Sequence, residues 1–153
     1  MASRYAKEML SLARAVRDLT GLSVVWKNAM GSGEEGLPRS VSEHCNQYCL
    51  EVKRDARLLK LCRRDDCEMA MLKACRLRKP FLKSCHAGLV ELVLPLMEGA
   101  RFDGMVFIGP MRIRQNAIPV VKGPAAKAAF RAFPAFDKRL LASCQTLLWQ
   151  ALA

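Results

Sequence analysis

Residues 81–108 read FLKSCHAGLVELVLPLMEGARFDGMVFI, and this stretch decides the fold. Three short apolar runs, Phe81 to Cys85, Leu89 to Met97 and Met105 to Ile108, are separated by glycine-bearing turns, which is the pattern of strands. Gly99 with Arg101 and Asp103 suits a tight hairpin between the second and third runs, so the sheet is expected to be at least partly antiparallel. Pro95 cannot donate to a strand ladder, so its strand is expected to be bulged or at an edge. Gly104 and Gly109 read as strand-packing positions.

Upstream of this stretch the periodicity is helical. Ser40 precedes Glu43 by three residues, a capping-box pattern, and Val41, Cys45, Tyr48, Cys49 and Val52 then share one stripe. Another helix is expected to start near Asp65 or Asp66, with Cys67, Ala70, Met71, Ala74 and Cys75 on its apolar face, and to stop at Pro80. Nearer the N-terminus, Tyr5, Met9, Leu12, Val16 and Leu19 make one helix face, with Ser3 as its cap. The β-branched run Leu22 to Trp26 then reads as a strand, and Gly31 to Pro38 as a flexible connection. Downstream, Pro119 to Pro124 is linker-like and Ala125 to Phe133 is helix-prone. A last helix from about Ala135 carries Leu140, Leu141, Cys144, Leu147, Leu148 and Ala151 on one face.

These elements predict an α/β (α+β) fold with a mainly antiparallel central sheet flanked by helices. The 153 residues suit a single domain with one core, bounded by an N-terminal helix within 1–20 and a C-terminal helix within 135–153. Because the final apolar stripe runs to the last residue without a glycine cap, the expectation is a domain cut from a longer protein, its last helix leading to an output domain.

Apolar residues make up 52% of the chain, which argues against disorder. Lysine and arginine number 25 against 14 acids, and residues 53–83 hold eleven basic against four acidic side chains. Such a run reads first as a solvated helix face. It has neither the aromatic interleaving of a base-stacking surface nor a helix-turn-helix beside it. Seven cysteines cannot all pair within one chain, and no secretory signal precedes them, so a cytoplasmic location is expected. The longest apolar run, Leu92 to Met97, is too short to cross a bilayer, and no membrane association is expected.

The cysteines invite a metal reading, yet no Cys-x-x-Cys pair occurs. Cys45, Cys49, Cys67, Cys75 and Cys144 fall on apolar stripes, where a free thiol acts as a small hydrophobe. Cys62 and Cys85 adjoin turns and need another account. His86, beside Cys85, suits a base, a ligand or a hydrogen-bonding group, with Glu91 as an orienting carboxylate. Phosphate-loop, dinucleotide-binding and His-Glu-x-x-His signatures are absent, which disfavours the common cofactor enzymes.

From Cys49 to Arg112 the sequence resembles the sensory domain named after the propanediol-operon regulator PocR. The resemblance rests on Tyr48-Cys49, Cys62 with Asp66, Cys85-His86-Ala87-Gly88-Leu89, Glu91, Pro95, and Gly99 through Gly109. It implies a PAS-like sensor of small organic molecules, often attached to an AraC-type DNA-binding domain or a kinase, and not an enzyme. Pro110 departs from the family pattern, which more often has glutamine there.

The expected site lies where the Cys85 turn meets the helix carrying Cys49: a compact, mostly apolar pocket with Cys49, Cys62, Cys85, His86, Gly88 and Glu91 as ligand-binding residues and no catalytic ones. No cofactor is required in this reading. The expected partners are a small organic ligand and a second copy of the chain, with DNA reached only through an attached domain. A rival reading makes Cys49, Cys62 and Cys85 ligands of zinc or an iron–sulfur cluster in a metal or redox sensor. A third makes the basic stretch from Lys53 to Lys83 a docking face for an acidic partner or nucleic acid.

Overall fold

A computed structural model describes residues 6–33, 37–113, 118–137, 139, 141–143 and 145–146. The chain runs α1 (Ala6–Thr20), β1 (Ser23–Asn28), α2 (Arg39–Ser42), α3 (Gln47–Arg54) and α4 (Ala56–Arg63). A π-helical turn (Arg64–Met69) joins α4 to α5 (Ala70–Leu77). After these come β2 (Phe81–Ser84), β3 (Val90–Glu98), β4 (Arg101–Ile113), α6 (Pro124–Arg131) and β5 (Ala135–Phe136). The strands pair in the order β1-β4-β3-β2, all antiparallel, and β5 adds a short parallel pairing to the end of β4. The expected α+β, PAS-like arrangement is what the chain adopts.

Alternation along the strands sets the two faces of the sheet. Val24, Trp26, Leu92, Leu94 and Val106 point to one side, where Ala13 of α1 and Val41 of α2 complete a core. Val25, Phe81, Val93, Met105 and Phe107 point to the other, under Ala70 and Ala74 of α5. The small alanines let that helix lie close on the sheet.

The hairpin forms as expected, with Glu98 opposite Arg101 across Gly99 and Ala100. Gly99 has φ +60°, which suits glycine. Strand β2 ends at Phe81 opposite Val93, so Pro95 has a strand on one side only, and the register shifts just beyond it, between Leu96 and Met97. At Gly104 a Cβ would lie 2.4 Å from the carbonyl oxygen of Lys27, so only glycine lets β1 approach there.

Several helix boundaries differ from the sequence reading. Ser40 lies inside the single turn of α2, and α3 begins only at Gln47, where the Asn46 side chain accepts from the Cys49 N–H at 2.8 Å. Glu43 does not close a capping box because Arg39 (3.2 Å) and Lys53 (3.6 Å) hold it. Asp65 and Asp66 do not start a helix. That start belongs to Asp55, whose carboxylate caps α4 by accepting from Arg57 and Leu58, and the aspartates sit mid-rod in the π turn. Cys75 is exposed, not on the buried face: the buried line runs through Ala70 and Ala74, and the next residue turns by about 100°. Leu19 is likewise exposed. Residues 135–136 are strand, and the helical residues described beyond them include buried Leu141. Ser3, Tyr5, Leu140, Cys144, Leu147, Leu148 and Ala151 lie outside the described residues.

One hydroxyl ties three segments together. Tyr48 donates to the Ala87 carbonyl at 3.0 Å and accepts from the Val120 N–H at 2.9 Å, while its ring packs edge-on to Phe130 of α6. Tyr48→Phe leaves both backbone groups unpaired in a buried place. It is expected to lower unfolding stability by about 1–3 kcal/mol in urea titrations.

Candidate functional site

Beneath α3, α4 and the π turn, the second face of the sheet carries a cavity of about 350 Å³. Val25, Leu59 and Phe107 give it an apolar wall, and Cys62 and Cys67 border it. The rest of the lining is charged: Lys27 from β1, Arg39 from α2, Lys53 from α3, Arg63 from α4, and Glu43, His44 and Asp66. Charged residues outside the Cys85 turn make most of this lining, and none of Cys49, Cys85, His86, Gly88 or Glu91 belongs to it.

Behind it lies a buried set of four charges. Lys83 of β2 donates to Glu91 of β3 at 2.5 Å and to Asp66 of the π turn. His44 completes the set, its Nε2 2.6 Å from Glu91 Oε1 and its Nδ1 3.5 Å from Asp66 Oδ2. Lys83 and Glu91 are direct cross-strand partners. At 2.6 Å His44 Nε2 and Glu91 Oε1 form a close ion pair in a buried place.

Burial alone pushes the His44 pKa down, but Glu91 and Asp66 outweigh it and raise the value from 6.5 to about 9. Burial likewise opposes the charged form of Lys83, and the same two carboxylates overcome it and hold the ammonium above its ordinary range. Burial would raise both acids. For Asp66 the opposing groups are His44 and Lys83, and for Glu91 they are His44 and Lys83 as well, so both stay ionised below their usual values.

The residues expected from the sequence divide into two groups. Cys49, Cys85 and Glu91 line a small inner space of about 20 Å³ that His44, Cys62 and Asp66 also border. Pro110 closes that space where the family more often has glutamine. His86 lines neither space. Its Nδ1 is 3.0 Å from Asp65 Oδ2, and the same oxygen accepts its backbone N–H, so its carboxylate partner is Asp65 and not Glu91. Gly88 shapes the turn: φ is +81°, and a Cβ would lie 2.5 Å from the Ile118 carbonyl oxygen.

Cys62, His86 and Asp65 stand in the order of a nucleophilic relay, with Cys62 Sγ 3.8 Å from His86 Nε2. The chemistry opposes that use. Burial, with Asp66 and Asp65 adding to it, pushes the Cys62 thiol up to about 11, and burial foremost pushes Cys49 and Cys85 up to about 12. All three are thiols at neutral pH, whereas a nucleophile needs thiolate. Among the described residues, no three His, Cys, Asp or Glu side chains are grouped so as to hold a metal ion.

Sequence reasoning missed His44 and Lys83, and singled out Asp66 only through the family pattern. A signal was present in the strand parity, since Lys83 shares the inward face with Phe81, and Glu91 with Val93.

A helix-covered antiparallel sheet with a charged cavity on one face defines a small α+β, PAS-like domain. The chain belongs to the family described as the sensory domain found in PocR, which it matches over residues 6–149. Comparison with curated proteins gave no match, and comparison with solved structures gave none either. No helix among the described residues is long and apolar enough to cross a membrane.

The buried charges make stability depend on pH at both ends. His44 has a raised folded pKa, so its contribution is complete below 6.5 and is lost as pH rises through about 9. The folded pKa values of Glu91 and Asp66 are depressed, so their contribution is complete above 4.5 and 3.8 and is lost as pH falls. Urea midpoints should plateau between about pH 5 and 6.5 and fall on either side. His44→Phe should flatten the alkaline fall, and an unchanged alkaline limb would contradict the assignment. Lys83→Met strands two carboxylates and should cost about 3–5 kcal/mol.

Proposed function

We propose that the chain is the ligand-binding sensory domain of a bacterial transcription regulator or signalling protein, and that it carries out no catalysis. A small organic molecule would occupy the cavity of about 350 Å³ beneath α3 and α4. Cys62 contributes to its wall, while Cys49, Cys85 and Glu91 line the small space that shares His44, Lys53, Cys62 and Asp66 with it. His86 and Gly88 act through the shape of the turn. The observation that supports this most is a concave space backed by buried, fixed charges, since ligand sites combine shape with a few oriented polar groups.

Occupancy would favour one arrangement of the terminal segments, 1–20 and 135–153, and so bias a homodimer or an attached output domain through differential affinity for two states. In this reading residues 1–153 form one cytoplasmic domain of a longer regulator of the AraC type or a signalling protein. DNA contact belongs to the attached part.

Calorimetry with diols, sugars and short organic acids should give at least one saturable response. A bound ligand at a hundred times its Kd should stabilise the fold by about 2.7 kcal/mol in thermal melts. Leu59→Trp, which fills the cavity from α4, should abolish that response without unfolding the protein. A flat response across the whole panel would sink the reading. The metal or redox alternative would need Cys49, Cys62 and Cys85 to close around an ion; they border the same small space but are not grouped to hold one. Stoichiometric zinc or iron in protein purified without oxygen would favour it.

A further inference from the structure

We infer that the ligand of this cavity is an anion: a small molecule whose carboxylate or phosphate group lies between Lys27 and Arg63, with a short carbon skeleton against Val25, Leu59 and Phe107. The inference rests on the sensory reading above and narrows it to a chemical class.

The charge balance of the lining is one-sided. Lys27, Arg39, Lys53 and Arg63 face only Glu43 and Asp66, before His44 is counted. The acids are already engaged: Glu43 by Arg39 at 3.2 Å and Lys53 at 3.6 Å, and Asp66 by Lys83 and His44. Lys53 is further fixed by donating to the His44 carbonyl at 2.9 Å. Lys27 and Arg63 are different. Neither has an acidic partner within ion-pair distance among the described residues, although Glu43 is near enough to Lys27 to feel its charge; one lines the cavity from β1 and the other from α4. Both lie near enough to Cys67, on the cavity border, to act on its thiol electrostatically.

Lys27 is half-buried and Arg63 is exposed, so the cavity holds two like charges in one lining, and these repel each other, with the lysine less screened by water than it would be at an open surface. An anionic group placed between them removes that repulsion and gains charge-assisted hydrogen bonds, for which the guanidinium of Arg63 offers a planar fork. A neutral diol or sugar gains neither. The apolar wall formed by Val25, Leu59 and Phe107 leaves room for carbon atoms beside the charged group, which distinguishes such a ligand from a bare inorganic ion.

The test is calorimetric titration of the purified chain with matched probes. The carboxylate arm uses lactate and succinate with lactamide as the neutral counterpart. The phosphate arm uses glycerol 3-phosphate with glycerol as its counterpart. At least one anion should bind saturably, at least about 10-fold more tightly than its neutral counterpart, and more weakly as salt rises. Lys27→Met and Arg63→Met should each weaken it about 10-fold or more, while Lys60→Met, an equal loss of charge on the exposed side of α4, should leave it unchanged. The arm that responds identifies carboxylate or phosphate. Equal loss in all three variants would overturn the proposal, because it would mark a response to net charge alone. If a neutral probe binds as well as its anion and Leu59→Trp abolishes that binding, the sensory reading stands and the anion proposal falls. If no probe of either kind binds, both fall.

Discussion

The pairing of Lys83 with Glu91 across β2 and β3, and of both strands with Asp66 and His44 on the helical cover, is the contact on which the rest of the structure depends. Hydrophobic packing holds α5 to the sheet through Ala70 and Ala74, but apolar contact is tolerant of sliding. Four buried charges are not, because each must meet an opposite charge or remain unpaired out of water. The quartet therefore fixes the register between the π turn, the loop before α3 and the sheet. Its value lies in selecting one arrangement, since burying charges has a large desolvation cost that the pairing only offsets.

The architecture was legible where periodicity carried the information. The strands β2, β3 and β4, their hairpin at Gly99 and the consequence of Pro95 all followed from short apolar runs and turn chemistry, because strands buried on both faces read as near-continuous apolar runs. Helix boundaries were less legible, and the reason is competition among capping side chains. Ser40 with Glu43 looked like a start, but Asn46 lay nearer the apolar stripe of α3, and Arg39 and Lys53 had already claimed Glu43. The rod from Ala56 to Leu77 was read as starting ten residues late because two consecutive aspartates mimic an N-terminus. In the folded chain they serve two different partners, Asp65 reaching His86 and Asp66 reaching Lys83.

The site was half legible. Cys85 and Glu91 line a small space that shares His44, Lys53, Cys62 and Asp66 with the cavity, so of the residues in the family resemblance only Cys62 and Asp66 border the cavity itself. What it obscured was the chemistry. Cysteines attract attention by rarity, yet burial keeps Cys49, Cys62 and Cys85 as thiols, and their contribution to the wall is mainly one of shape. The charged residues that dominate the lining come from five separate elements and the loop before α3, spaced from Lys27 to Asp66 along the chain, and no local motif joins them. A lysine or arginine within a basic run reads as solvated until tertiary structure turns it inward. Most of the run from Lys53 to Lys83 is indeed exposed, but Lys53 is half-buried and Lys83 is buried.

The π turn connects these observations. It carries Asp66, which belongs at once to the buried quartet and to the cavity lining, and it follows directly on Arg63. Turns of this kind are rare and occur frequently at functional sites. A ligand held between Lys27 and Arg63 would join β1 to the residue immediately before the π turn, and any displacement of that turn would reach Asp66 and through it Lys83, Glu91 and His44. On that proposal Asp66 is the residue at which occupancy of the cavity and the register of the helical cover meet, since it borders the cavity and pairs with Lys83.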